Sequence, residues 1–446
     1  MVWKGRARSR VAWAMMAIEQ LERQLDAFDR SRRLEALSSL WRAVQLGEIA
    51  LPKPGGAVNL HAHTFFSYNA YGYSPSKFAW LARKAGLLAA GIFDFDVLDG
   101  VDEFLDAGRL IGLRTCASLE SRVYVPEFAT LVINSPGEPG VAYHMGVGFP
   151  RSTSHPFLSQ MRSAAQIRTQ GIIERVNLFL DPVRLDFDHD VAPLSPNGNV
   201  TERHLCEAYE RKAVDLFPDP ARRAAFWTER LGGAPDESAK LQGLIRAKTM
   251  KKGGVGYVAP DRGSFPEIAQ MNRFVIEAGA IPTVAWLDGM SEGERRMDDY
   301  IDIAMASGAA ALSVIPDCNY TPGSPEDKKK NLYAVVALAE RRGFPIVSGT
   351  EMNTHGQKFV DSFDSADLKP LAQPFLRSAY IFHAHTVMQR ELGVGYLGAW
   401  AEASFASVAV KNDFFLAVGR ALQPGEDMLA GLDADVSPQQ LLKRLG

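Results

Sequence analysis

The chain has 446 residues, 46% of them hydrophobic and 23% charged, with a formal net charge of −3. That length suffices for one large core with insertions or for two domains, and the near-neutral balance gives no global nucleic-acid or membrane signal. Three scattered cysteines, Cys116, Cys206 and Cys318, fit a reducing cytoplasm rather than a disulfide framework, and no apolar run is long enough to span a bilayer.

In chain order, residues 1 to about 48 carry helical periodicity. Lys4, Arg6, Arg8 and Arg10 precede an apolar stretch, as a signal peptide would begin. Glu19, Glu22 and Arg23 follow at once and no small-residue cleavage site appears, so an amphipathic helix is expected. Pro52-Lys53-Pro54-Gly55-Gly56 marks a loop. From 57 to 150, strand-like runs at 58–61, 88–93, 114–119 and 130–134 alternate with helical patterns at 76–85 and 101–111. That alternation signals βαβ units and a parallel sheet or barrel. Residues 151–262 read as a mostly helical insertion. The βα pattern resumes through 265–278, 281–286, 297–306, 309–315, 331–342 and 345–349, and 372–446 looks helical.

Chemistry-bearing residues gather where strands should end. The run Ala57-Val58-Asn59-Leu60-His61-Ala62-His63-Thr64 closes on two histidines spaced i, i+2. Side chains two apart on a strand share a face, so both imidazoles can reach one metal ion. Asp94 and Asp96 end the next strand, Glu120 the third, and His144 follows in Ala142-Tyr143-His144-Met145-Gly146. Glu351, Asn353 and His355 follow the last. In (β/α) barrels such strand ends converge. A second tetrapeptide, His383-Ala384-His385-Thr386, sits in a stripe of Phe375, Leu376, Ala379, Tyr380 and Val387 that predicts a helix. Residues two apart on a helix point about 200° apart. This pair therefore should not chelate; one packed and one exposed histidine is expected, with His383 at most behind the site.

Taken together, these motifs resemble the polymerase and histidinol phosphatase (PHP) superfamily of metal-dependent phosphoesterases. Asn59 to Thr64 resembles its opening His-x-His, and Ile92 to Gly100 its Thr-Asp-His-Asp segment. Leu119-Glu120 resembles its bridging glutamate, and His144 its next histidine. Ser348 to Gly356 stands where its closing motif belongs. In the insertion, 199–205 (Asn-Val-Thr-Glu-Arg-His-Leu) and 251–258 resemble elements of the nucleotide phosphatase and oligonucleotide exonuclease branch. The resemblance spans about 57–360. It implies an α/β fold, a distorted (β/α)7 barrel with a helical insertion at 151–262 and helical extensions at 1–56 and 361–446. It also implies one or two divalent ions (Mn, Zn or Fe) held by His61, His63, Glu120 and Glu351, with Glu120 bridging to a second at His144 and His355. Tyr68, Phe95 and Trp286 depart from the family's ligand positions, and Phe95 and Trp286 predict a smaller, drier pocket poorer in charge.

The expected protein is a cytoplasmic, metal-dependent hydrolase acting on a small phosphorylated metabolite or nucleotide. A divalent metal would acidify water for in-line attack. His355 or Asp94 would assist proton transfer, and Arg203, His204 and Lys252 would hold phosphate. Two other readings stand beside it: a PHP-derived ligand-binding or regulatory protein without catalysis, and a hydrolase of non-phosphate bonds. Each residue also has a plain structural reading. Asp94 and Asp96 could be turn residues, His144 a satisfied core histidine, His204 a helix-start polar group, and Lys251 with Lys252 a solvated pair. The sequence does not fix the oligomeric state.

Overall fold

Seven strands form one sheet in sequence order: β1 (Val58–Ala62), β2 (Ala89–Phe95), β3 (Arg114–Tyr124), β4 (Val141–Val147), β5 (Ile281–Trp286), β6 (Ala311–Val314) and β7 (Ile346–Ser348). The computed structural model describes residues 16–260, 263–320 and 325–446; the basic stretch holding Lys4, Arg6, Arg8 and Arg10 lies outside them. β1 is buried along its whole length, as expected of a strand covered on both faces. A parallel bridge from Ala62 to Glu351 joins the end of β1 to the chain after β7, so the sheet nearly closes into a barrel. That closure needs Gly349, where a Cβ would collide with the His61 backbone nitrogen.

The sheet departs from strict βα alternation at β4. β1–β2, β2–β3, β5–β6 and β6–β7 pair parallel, whereas β4 runs antiparallel to both β3 and β5. The strand expected at 130–134 is a loop, and the true strand is Val141–Val147. The physical reason lies in the link between β3 and β4. It contains only a short 3₁₀ turn, Pro126–Phe128, and no helix of the kind that usually carries a parallel crossover. Asn134 then serves as a clamp. Its Oδ1 accepts the Tyr143 N–H at 2.7 Å, and its amide donates to the Ala285 carbonyl at 2.9 Å.

Helices cover the outside. Val101–Ile111 stops at Gly112, whose φ of 68° is the left-handed cap that glycine adopts without strain. The helix Arg30–Gln45 is fastened to it by a buried ion pair, Arg33 with Glu103, which also accepts from the Ser76 hydroxyl. The helix Ala372–Leu392 forms as the His383 stripe predicts, but both histidines are buried, not one. It is packed on several sides, against the sheet and against the helix Val408–Ala421. His383 Nδ1 lies 3.3 Å from the Thr115 carbonyl, near the start of β3, and His385 Nδ1 accepts the Tyr396 N–H at 3.0 Å.

Between β4 and β5 the chain makes a second hydrophobic cluster, centred on Val176, Leu205, Tyr209, Trp227 and Ile245. Its helices Pro156–Phe179, Glu202–Leu216 and Ser238–Thr249 lie over the strand ends. Asn199 sets that position, donating to the carbonyls of Phe66 and Phe95, each at 2.9 Å. Among the described residues, no helix is long and apolar enough to cross a membrane.

Candidate metal centre

His61 and His63 leave β1 on one face, as their spacing predicts, and meet Glu120 of β3. The Glu120 Oε2 atom stands 3.4 Å from His61 Nε2 and 3.2 Å from His63 Nε2. All three residues are buried, and these three atoms have no hydrogen-bond partner. A tetrahedral ion with ligand bonds of roughly 2.0–2.2 Å keeps its donors about 3.3–3.6 Å apart. The observed separations sit close to that spacing, and the nitrogen and carboxylate donors suit a divalent cation. Among the described residues this is the one group of three such donors.

Neighbouring side chains fix the imidazoles. Phe93 stacks on His61 with ring centres 4.2 Å apart, and Phe95 lies over His63 at 6.3 Å. His63 Nδ1 is 3.1 Å from Ser67 Oγ, and that hydroxyl donates to Asp94 Oδ1 at 2.7 Å. Ser67 has one proton and gives it to Asp94, so His63 must donate from Nδ1. Its Nε2 is then a bare lone pair facing a carboxylate oxygen, an arrangement that needs a cation or a proton between them. Burial would lower the pKa of His63, but the Glu120 carboxylate outweighs it and the net shift is upward. Burial would raise that of Glu120, yet the two histidines hold it down to about 2.

The remaining predicted residues separate into those near this group and those away from it. Glu351 lines the same cavity as His63 and Glu120, outside the three-donor group. Its carbonyl accepts from the His63 N–H at 2.7 Å, and its φ of 61° is a strained value for a non-glycine residue. Arg203 also lines the cavity and donates to the Thr354 hydroxyl at 2.6 Å.

Asp94 is near but sequestered, taking hydrogen bonds from Ser67 and from the Thr64 hydroxyl (2.6 Å) and N–H (2.8 Å). His144 points away from the cluster. β4 is antiparallel, so Tyr143 and Met145, paired with Arg122 and Glu120, take the inner face. His144 takes the outer one, where it binds Asn272 Oδ1 at 2.5 Å and burial pushes its pKa down to about 4. His355 is exposed and meets the edge of Tyr71 at 5.6 Å. The second ion expected at His144 and His355 therefore has no ligand group among the described residues. His204 caps its own helix, its Nδ1 accepting the Thr201 N–H at 3.1 Å. Lys252 is exposed, whereas Lys251 turns into the cavity.

That cavity, about 300 Å³, is rich in charge, against expectation. Trp286 is not one of its walls; Ala285 pairs with Ser313, which faces His61, and strand alternation sends Trp286 to the outer face. Instead Arg122, Arg168, Arg203, Arg246 and Lys251 line it. Glu202 pairs with Arg246 at 2.9 Å and Lys251 at 2.7 Å, and Arg122 reaches Glu138 at 3.1 Å. Arg168 has no ion-pair partner among the described residues and rests on the Phe265 ring at 4.9 Å. Sequence reasoning missed Arg122, Arg168 and Arg246 as site residues, and of the pair Lys251 and Lys252 it chose Lys252. Arg122 was open to inference, two positions from Glu120 on the same strand face; no spacing rule links the others to β3.

No protein-family model matches this chain, and no curated protein matches it significantly. Among solved structures it is similar to an amidohydrolase from Chromobacterium violaceum with bound sulfate and no metal. The identity is 16% and the TM-score 0.47, over 67% of this chain and 88% of that one. It is also similar to a protein from Bifidobacterium adolescentis carrying the provisional name metal-dependent phosphoesterase. There the identity is 18% and the TM-score 0.48, over 72% of this chain and 98% of that one.

Proposed function

We propose that the protein is a metal-dependent hydrolase of the PHP kind, a phosphoesterase acting in the cytoplasm on a small phosphorylated metabolite or nucleotide. One observation carries the reading. Three buried donor atoms without hydrogen bonds converge beside a cavity that holds five cationic side chains. The donors call for a positive ion, and the cavity wall calls for an anion. A divalent ion bound by His61, His63 and Glu120 supplies Lewis-acid polarisation and acidifies water.

The chain's own residues do the rest. Arg203 and Arg168 offer guanidinium donors matched to phosphate geometry. Glu202 balances Arg246 and Lys251 and is itself held down to about 2; burial opposes that shift, and the two cations outweigh it. The helical insertion covers the strand ends and restricts water, which strengthens each electrostatic contact inside. The regulatory reading keeps one observation in its favour: Asp94 and His355, the expected proton-transfer groups, do not face the cavity.

The test is hydrolysis of p-nitrophenyl phosphate and a panel of phosphomonoesters with added Mn²⁺, Zn²⁺ or Fe²⁺. Metal-stimulated phosphate release is expected from the unmodified protein and none from the double variant His61→Ala, His63→Ala. Metal binding without turnover of any ester would favour the regulatory reading.

A further inference from the structure

Tyr143 occupies a position that the metal centre leaves unexplained. Because β4 is antiparallel, Tyr143 pairs with Arg122 and faces inward, on the same face of the sheet as Glu120. Its backbone is held by the Asn134 clamp, which ties the strand on to β5. Its ring meets the edge of Phe95 at 6.0 Å and 88°, and Phe95 in turn lies over His63. The ring is thus fixed by packing.

The phenol is not accounted for by the fold. The residue lines the cavity that contains His63 and Glu120. Tyr143 is half-buried, and its hydroxyl makes no hydrogen bond to a described residue, so it is free to meet a ligand in the cavity that the residue lines. Burial pushes its pKa upward; the charges of Arg122 and Arg246 oppose this, and those of Glu120 and Glu202 add to it. The net shift keeps it a proton-bearing donor at neutral pH. Asp94 and His355 do not line this cavity, whereas Tyr143 does.

We propose that the Tyr143 hydroxyl donates a hydrogen bond to an oxygen of the substrate's anionic group while that group lies against the metal centre. This rests on the hydrolase reading. It adds a neutral donor to a set of cationic ones, aimed from the strand opposite the histidines. A neutral donor of fixed direction distinguishes a tetrahedral oxyanion from a planar carboxylate better than a mobile cation does.

The test is Tyr143→Phe, which keeps the ring and removes only the hydroxyl. Metal content and melting temperature should match those of the unmodified protein. Phosphate-ester kcat/KM should fall ten- to a hundredfold. Binding of orthovanadate and inorganic phosphate to the metal-loaded protein, read by calorimetry, should weaken at least fivefold, with acetate binding unchanged. Unchanged kcat/KM and unchanged oxyanion binding would overturn the proposal while leaving the hydrolase reading intact. If the unmodified protein hydrolyses no ester, the calorimetry alone decides. If it also binds no oxyanion, both the reading and the proposal fall. A loss of metal in Tyr143→Phe would show a structural role and would overturn it too.

Discussion

Ser67 links two residues far apart in sequence, and its single proton sets the state of the candidate metal centre. It passes that proton to Asp94 and thereby obliges His63 to present Nε2 as a lone pair. Replacing Ser67 with Ala removes the partner of His63 Nδ1 and frees the ring to rotate. Metal affinity should fall about 10- to 100-fold, as for other outer-shell changes, with the fold retained. Competition against a chelator measures this; unchanged affinity would show that stacking on Phe95 alone orients the ring. At this scale a strand's period of two placed His61 and His63 on one face, because it fixes relative facing within one run, whereas Glu120, on another strand, was named from its place at a strand end and from the family resemblance. The period did not reveal absolute facing. His144 stood for Tyr143 and Trp286 for Ala285, each a slip of one residue along a strand. A one-residue slip reverses a strand's faces, and only pairing with neighbours settles which face is inside.

The elements were more legible than their directions. The helix at 101–111 and the strand at 281–286 fall where the periodicity predicts them. The antiparallel turn of β4 did not, because Leu131-Val132-Ile133 has the apolar character of a strand without a partner to make it one. The helix Ala372–Leu392 carries a pH dependence of its own. Burial lowers the pKa of His385 from 6.5 to about 4. Between those values the unfolded chain binds the extra proton, so its contribution to stability is full above about 6.5 and is lost as pH falls toward 4. Glu294 and Asp361, both raised to about 7, act in the opposite sense over an overlapping range. A paired comparison isolates the histidine. From pH 7 to 4, the unmodified protein should lose about 2–3 kcal/mol more than His385→Gln, read from denaturant midpoints. Parallel pH profiles would contradict this.

The whole molecule joins two hydrophobic cores, and the candidate site lies between them. β1 and β3 supply the candidate metal donors from the barrel, and the insertion supplies Arg168, Arg203, Arg246 and Lys251 from above. This division explains why the sequence displayed half of the site. The barrel half follows strand periodicity; of the insertion half only Arg203 was expected, through the family resemblance, because where Asn199 docks a separate core is encoded in no local pattern. It also explains the charge of the pocket. Phe95 puts an apolar ring in the wall, but the insertion brings cations to it. The most direct test of this account is the metal stoichiometry, measured by elemental analysis after equilibrium loading with Zn²⁺ or Mn²⁺ and removal of free ion. One equivalent per chain is expected for the unmodified protein and none for His61→Ala, His63→Ala. Two or more equivalents, or full retention by the double variant, would contradict it.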